Sequence, residues 1–250
     1  TFDPMQWRAQ FGIDVDHVDQ LEIVRRAELV EPERVDRTME WMSDQFASIA
    51  YNDDKLTEDK LRFQVRCYLA NKDINEEKGL DFISVKCMTE LSDHYVPQCL
   101  SAALMPGPYD AEGSKQPCSM SCEADGDGAL SMEILKEISG GCSTLFADVS
   151  HMDDEKKILY LPNCGGMCSW FAGRSDKPEE NLGKIELRPS VRPGGGAITY
   201  FTAAPGPITL ARLYRVSGQY RMAIIPGDVV NLSEEDRAAF IRERGKHQLP

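Results

Sequence analysis

Histidine is scarce in this chain: four in 250 residues, at positions 17, 94, 151 and 247. No Ser–His–Asp set can be argued from so few. Long apolar runs are missing too, with no stretch of 18 to span a membrane. The opening "TFDPMQWRAQFG" lacks the basic head and apolar stretch of a secretory signal. Positive charge is in deficit, 28 Lys and Arg against 41 Asp and Glu for a net charge of −13, which argues against a nucleic-acid partner. Neither glycine-rich segment, "NCGGM" (163–167) or "RPGGGAI" (192–198), matches a P-loop or a G-x-G-x-x-G fingerprint, though in both the backbone can approach a ligand closely. Internal repeats and low-complexity tracts are absent. The chain does not begin with Met and is expected to be a portion of a longer protein.

Cysteine is not lacking. Eight occur, at 67, 87, 99, 118, 122, 142, 164 and 168. A chain of this size without an export signal needs no disulfide staples, so they are read as reduced thiols of a cytoplasmic protein. "CSMSC" (118–122) and "CGGMC" (164–168) are two C-x3-C pairs, a spacing that a structural zinc site permits. The second pair directly follows a strand-like run, unlike a zinc knuckle.

The first half reads helical. "VDQLEIVRRAEL" (18–29) has Asp19 as N-cap with Glu22 at capping-box spacing. In "EPERVDRTMEWMSDQFASIA" (31–50), Val35, Met39, Met42 and Phe46 form an apolar stripe behind Pro32. "TEDKLRFQVRCYLANK" (57–72) repeats the period with Leu61, Val65 and Tyr68, capped by Thr57. Then strands alternate with helices: "GLDFISVKC", "YVPQCLSAALM", "SMSCEA", "GALSMEILKEISGG" (closed by Gly140) and "STLFADV" predict βαβ units with a parallel sheet of three strands. Past residue 150 the helices stop. Runs such as "KILYLPN", "GAITYFTA", "PITLARLYRV" and "QYRMAIIPGDVV" predict antiparallel β structure, sandwich or barrel, before a last helix from Ser233. The expected class is therefore α/β: a parallel-sheet α/β domain over 1–141, then an antiparallel β-rich domain over 142–250.

"SCEADGDGAL" (121–130) concentrates Glu123, Asp125 and Asp127 within five positions. An EF-hand frame starting at Glu123 fails, because its twelfth position is Ile134 rather than a bidentate Glu. Asp125 and Asp127 are explained by capping and the dipole of the helix that follows. Glu123 precedes the cap and is not. Ligands of open α/β sheets bind outside the carboxyl ends of strands. Glu123 stands at such an end, and Asp148 ends the expected next strand. Two carboxylates on neighbouring tips suit a divalent cation. His151 is close by in sequence, either a third ligand or a loop residue.

"CEADGDGALSMEILKEISGG…TLFADV", "LYLPNCGGM" and "PGPITLARLYRVSGQYRMAIIPGDVV" resemble the L-fucose isomerase-like proteins, a family related to L-arabinose isomerase. "DPMQWRAQFGIDVDHVDQLEIVRRAEL" is similar to the middle of that family's second domain, so the resemblance covers nearly the whole chain, as a central and C-terminal portion. It implies a sugar aldose–ketose isomerase, a hexamer using a divalent metal, Mn2+. By this resemblance Glu123 (of the E-x-D segment) and Asp148 (of F-A-D) bind the metal and act as acid and base on an ene-diol pathway. Asn163 and Glu90 are the candidates for contact with a monosaccharide. The family's N-terminal α/β domain and third ligand, a His beyond the last strands, have no match here, and His247 lies in the wrong context. A non-catalytic sugar-binding or assembly module of the same fold is the alternative.

Overall fold

The structure is a computed structural model describing residues 2–239. Its first helices begin where short polar caps and prolines dictate. α1 (Pro4–Phe11) opens on Asp3, whose carboxylate accepts from the Met5 and Gln6 amides at 2.9 and 3.2 Å, and closes on Gly12. α2 (Gln20–Leu29) is capped by Asp19 through the Leu21 amide at 2.8 Å, as its sequence predicts. Glu22 is not the reciprocal half of a capping box; it pairs with Arg26 at 2.9 Å. α3 (Pro32–Gln45) buries Val35 and Met42, and β1 (Ser48–Ile49) follows it. α4 (Glu58–Lys78) is capped by Thr57 and closed by Gly79. It buries the expected stripe of Leu61, Val65 and Tyr68.

The parallel sheet is present but smaller than expected. β2 (Phe82–Val85) leads through α5 (Glu90–His94), α6 (Cys99–Leu104) and the small hairpin β3 (Tyr109–Asp110) and β4 (Gly113–Ser114) to β5 (Ser119–Cys122). β2 and β5 pair in parallel, with Phe82 opposite Ser119 and Val85 opposite Cys122. α7 (Gly126–Ile138) follows, ending near Gly140 at φ +76°. The third strand predicted over "STLFADV" does not form: residues 142–150 carry no regular ladder. Their hydrogen bonds go to a different neighbour. The Asp148 and Ser150 amides donate to the Pro162 and Tyr160 carbonyls at 2.8 and 3.1 Å, prolonging the hairpin of β6 (His151–Asp153) and β7 (Ile158–Tyr160).

In the later half, a short helix α8 (Pro178–Leu182) interrupts the expected all-β stretch. β8 (Glu186–Pro189) pairs antiparallel with β9 (Ala197–Tyr200) and in parallel with β1, so the helical half supplies an edge strand to this sheet. β10 (Gly206–Val216) and β11 (Gln219–Val229) form a long hairpin. Ser217 and Gly218 turn it, at φ +50° and +77°, the left-handed pair of a two-residue turn that suits strand twist. Among the described residues these strands make small separate sheets and no closed barrel, which corrects the barrel expectation. Ser233 caps the last helix as predicted, accepting from the Asp236 amide at 3.0 Å. Residues 240–250, His247 among them, lie outside the described residues.

The main core joins both halves. Val35, Met42, Leu61, Tyr68, Leu100 and Met120 pack in one cluster with Leu182, Ile185, Leu187 and Ala197. A smaller cluster of Trp7, Leu130 and Leu213 binds the β10–β11 hairpin to α7, helped by the Leu213 amide donating to Ser131 Oγ at 2.7 Å. No helix among the described residues is long and apolar enough to cross a membrane.

Candidate active site

The register of β2 on β5 sets the site. Because Val85 lies opposite Cys122, the loops that follow the two strands emerge at one level of the sheet's carboxyl rim. There the chain turns sharply: Glu123 and Ala124 both take left-handed φ, +57° and +53°. Such backbone costs on the order of 1–3 kcal/mol per residue where glycine is not used, and strain of this kind collects at functional sites. The Ala124 amide donates to the Val85 carbonyl at 3.2 Å, locking the turn onto β2. Glu123 Oε2 accepts from the Met88 amide at 3.1 Å, a donor that no side-chain pattern reveals. Partial desolvation raises the Glu123 carboxyl above its usual range, and the Met88 N–H opposes this. Lys86 and Arg192 act on it through space rather than by contact.

The other two acids of "SCEADGDGAL" are structural. Asp125 caps α7, its Oδ1 accepting from the Gly128 amide at 3.0 Å, and the same carboxylate holds Arg212 of β10. Asp127, buried in the first turn, accepts from the Trp7 indole at 3.3 Å and faces Arg215 at 3.9 Å.

Asp148 is exposed, on the segment that borders residues 160–163. Upstream, Thr144 Oγ1 lies 3.4 Å from Ser119 Oγ at the start of β5. Glu90 opens α5 and binds Lys86 with both oxygens, at 2.8 and 2.9 Å, which pulls its carboxyl down to about 2. His151 lies exposed in β6, stacked on Tyr160 at 4.5 Å between centroids. Asn163 builds the turn after β7. Its Oδ1 accepts from the Gly165 and Gly166 amides at 3.0 and 2.6 Å, and its Nδ2 donates to the Phe146 carbonyl at 2.9 Å.

That turn presents Cys164 to two other thiols. The neighbouring Cys122 and Cys99 thiols hold the Cys164 thiol below the ordinary thiol range. Burial pushes Cys87, next to Met88, up to about 12. The two C-x3-C pairs do not converge as a zinc site. Cys118 donates instead to Asn75 Oδ1 at 3.3 Å, and among the described residues no group of three or more His, Cys, Asp or Glu is arranged to hold a metal. No sequence signal joins Cys99, Cys122 and Cys164, which meet only through the tertiary fold.

Residues 161–250 match the family model described as L-fucose isomerase, C-terminal domain. Over those residues the chain is similar to that domain. Similarity to curated proteins reaches further towards the N-terminus. The chain is 25% identical to the sulfoquinovose isomerase of Alkalicoccus urumqiensis over 228 residues, 90% of this chain and 46% of that protein. The sulfoquinovose isomerases of Priestia aryabhattai and Priestia megaterium are each 28% identical to it over 114 residues, 46% of this chain and 24% of theirs. The chain thus spans about half the length, or less, of the curated relatives it matches.

Proposed function

We propose that this chain is the central and C-terminal portion of a metal-dependent sugar isomerase that interconverts an aldose and a ketose through an ene-diol. The observation that carries the reading is Glu123: a carboxylate on strained backbone at the rim of a parallel sheet, partly desolvated, with no salt bridge among the described residues. A cation beside it would offset that desolvation. Asp148 is the second oxygen donor of the proposal. Two facts support its approach to the same rim: Thr144 flanks the start of β5, and Phe146 lies where an added Cβ on Gly128, at the start of α7, would be 2.7 Å from its ring. Two carboxylates suit a hard divalent ion such as Mn2+.

A bound ion would supply polarisation of the sugar carbonyl and charge stabilisation. The chain's residues do the rest. Glu123, its pKa raised, accepts the proton from the carbon beside the carbonyl and returns it to the neighbouring carbon. The Met88 N–H fixes which Glu123 oxygen faces inward. Glu90, with Lys86, lines the rim for sugar hydroxyls, and Asn163 shapes the adjoining turn. The relatives' names make sulfoquinovose the first sugar to try. The proposal includes a cytoplasmic homo-oligomer, a hexamer, and the division into an α/β unit over 1–141 and a β-rich unit over 142–250.

Manganese titration of the full-length protein tests the reading. Mn2+ at about a hundred times its dissociation constant raises unfolding stability by about 2.7 kcal/mol. Glu123→Gln and Asp148→Asn each lose that gain and the aldose–ketose conversion. Equal stabilisation of all three proteins removes both residues from the metal site. Sugar binding without conversion by the wild type supports the non-catalytic module instead.

A further inference from the structure

The glycines of "RPGGGAI" press backbone against backbone, and in doing so they fix one arginine in place. The Ser190 amide donates to the Gly196 carbonyl at 2.8 Å and closes the loop; inside it the Gly195 amide donates to the Arg192 carbonyl at 3.0 Å. The loop is held hard against the helical half. An added Cβ would run into the Tyr95 carbonyl oxygen at Gly194 and the Lys55 carbonyl oxygen at Gly195. Gly195 and Gly196 also keep φ of +80° and +86°, where a side chain is disfavoured. The Gly196 amide donates to the Lys55 carbonyl at 2.6 Å.

This loop and Glu123 grip the same short segment. The Gly194 amide donates to the Ser92 carbonyl at 3.0 Å, the Ser92 amide to the Cys87 carbonyl at 3.1 Å, and the Met88 amide to Glu123. Arg192 therefore stands half-buried beside the sheet's carboxyl rim, on a loop fixed at both ends. The other cations nearby are engaged. Lys86 holds Glu90 and Arg188 holds Glu186, while the Lys55 and Lys60 ammoniums donate to the Pro193 and Asp54 carbonyls at 3.2 and 2.7 Å. The Arg192 guanidinium forms no ion pair among the described residues, and its charge reaches Glu123 through space.

A guanidinium so placed suits an anion on the ligand, because its planar fork binds two oxygens of a tetrahedral oxyanion at once. We propose that Arg192 is a specificity-determining residue: it binds a sulfonate or phosphate on the monosaccharide, at the end remote from the carbonyl, so that the site takes anionic sugars in preference to neutral ones. The inference rests on the isomerase reading for the sugar's place beside Glu123. A molecule of net charge −13 repels an anionic sugar as a whole, and an unpaired arginine at the rim supplies the local attraction that binding needs.

Isothermal titration calorimetry on the full-length protein, with sulfoquinovose, glucose 6-phosphate and glucose as probes, tests this without turnover. Glucose has a hydroxyl where the other two carry their anion. The wild type is expected to bind an anionic sugar about ten- to a hundredfold more tightly than glucose, the worth of a charge-assisted pair. Arg192→Gln abolishes that preference, and Arg192→Lys, which keeps the charge without the fork, retains part of it. Whichever anionic sugar loses affinity identifies the group as sulfonate or phosphate. A wild type without the preference overturns the proposal whether or not a variant folds. An undiminished preference in Arg192→Gln does so too, the result if this arginine merely steadies Glu123. Anion preference without conversion removes the isomerase reading and keeps Arg192 in its role; conversion without anion preference does the reverse.

Discussion

Replacing Asp125 by alanine removes two interactions of different kinds, and the structure says which matters more. One is the cap on α7, in which Oδ1 accepts from the Gly128 amide at 3.0 Å. Losing an N-cap of this type costs about 1 kcal/mol. The other is the pair with Arg212, whose side chain is 47% exposed while that of Asp125 is 21% exposed. A pair so open to water contributes about 0.5 kcal/mol. Asp125→Ala is therefore expected to lose about 1.5 kcal/mol, and Asp125→Asn, which caps as well as Asp, only about 0.5 kcal/mol. Arg212→Ala should cost about the same 0.5 kcal/mol alone and little more when added to Asp125→Asn. Urea denaturation reads these values as shifts in midpoint at unchanged slope. If Asp125→Asn loses as much as Asp125→Ala, charge and not capping holds the turn. If it abolishes the manganese response, Asp125 is a metal ligand and the division between Glu123 and its two acidic neighbours is wrong.

Two further perturbations test neighbouring arguments. Asn163→Ala deletes three hydrogen bonds that shape the 163–166 turn, and should lower stability by about 2–3 kcal/mol in the same denaturation assay, with a loss under about 0.5 kcal/mol refuting that role. Arg34 and then Lys72 hold the Glu112 carboxyl down to about 2 from its ordinary 4.5, so its contribution is present above the ordinary value and lost as pH falls towards 2. Between those limits the wild type should lose more stability than Glu112→Gln, on the order of 1 kcal/mol after discounting for solvent screening; parallel acid limbs for the two proteins refute it.

Local chemistry carried well from sequence to structure. Asp19, Thr57 and Ser233 cap the helices they were expected to cap, because a cap needs only its own residue and amides two or three positions on. α1 used the same signals, Asp3, Pro4 and Gly12, and sequence reasoning passed over it although they were in plain sight. "STLFADV" failed for a different reason. Its apolar residues mark a segment that must pack, and Phe146 does pack against the core, but packing does not choose a ladder partner. Pairing depends on residues 160–163, which no pattern within 143–149 specifies. At the candidate site, Glu123 stood out because capping did not account for it. Its strained backbone and its Met88 donor, 35 positions away, depend on the tertiary fold and leave no periodic trace.

The parallel pairing of β1 with β8 bears on how the chain is made. Ile49 lies opposite Leu187, and Leu187 fills the same core as Val35, Leu61 and Tyr68. On the ribosome, the N-terminal helices leave the exit tunnel more than a hundred residues ahead of the strand that completes their interior. Until Leu187 and Ala197 have been synthesised, the apolar faces of α3 and α4 wait without their final cover, and this interval is when a nascent chain of this kind needs shielding from its neighbours.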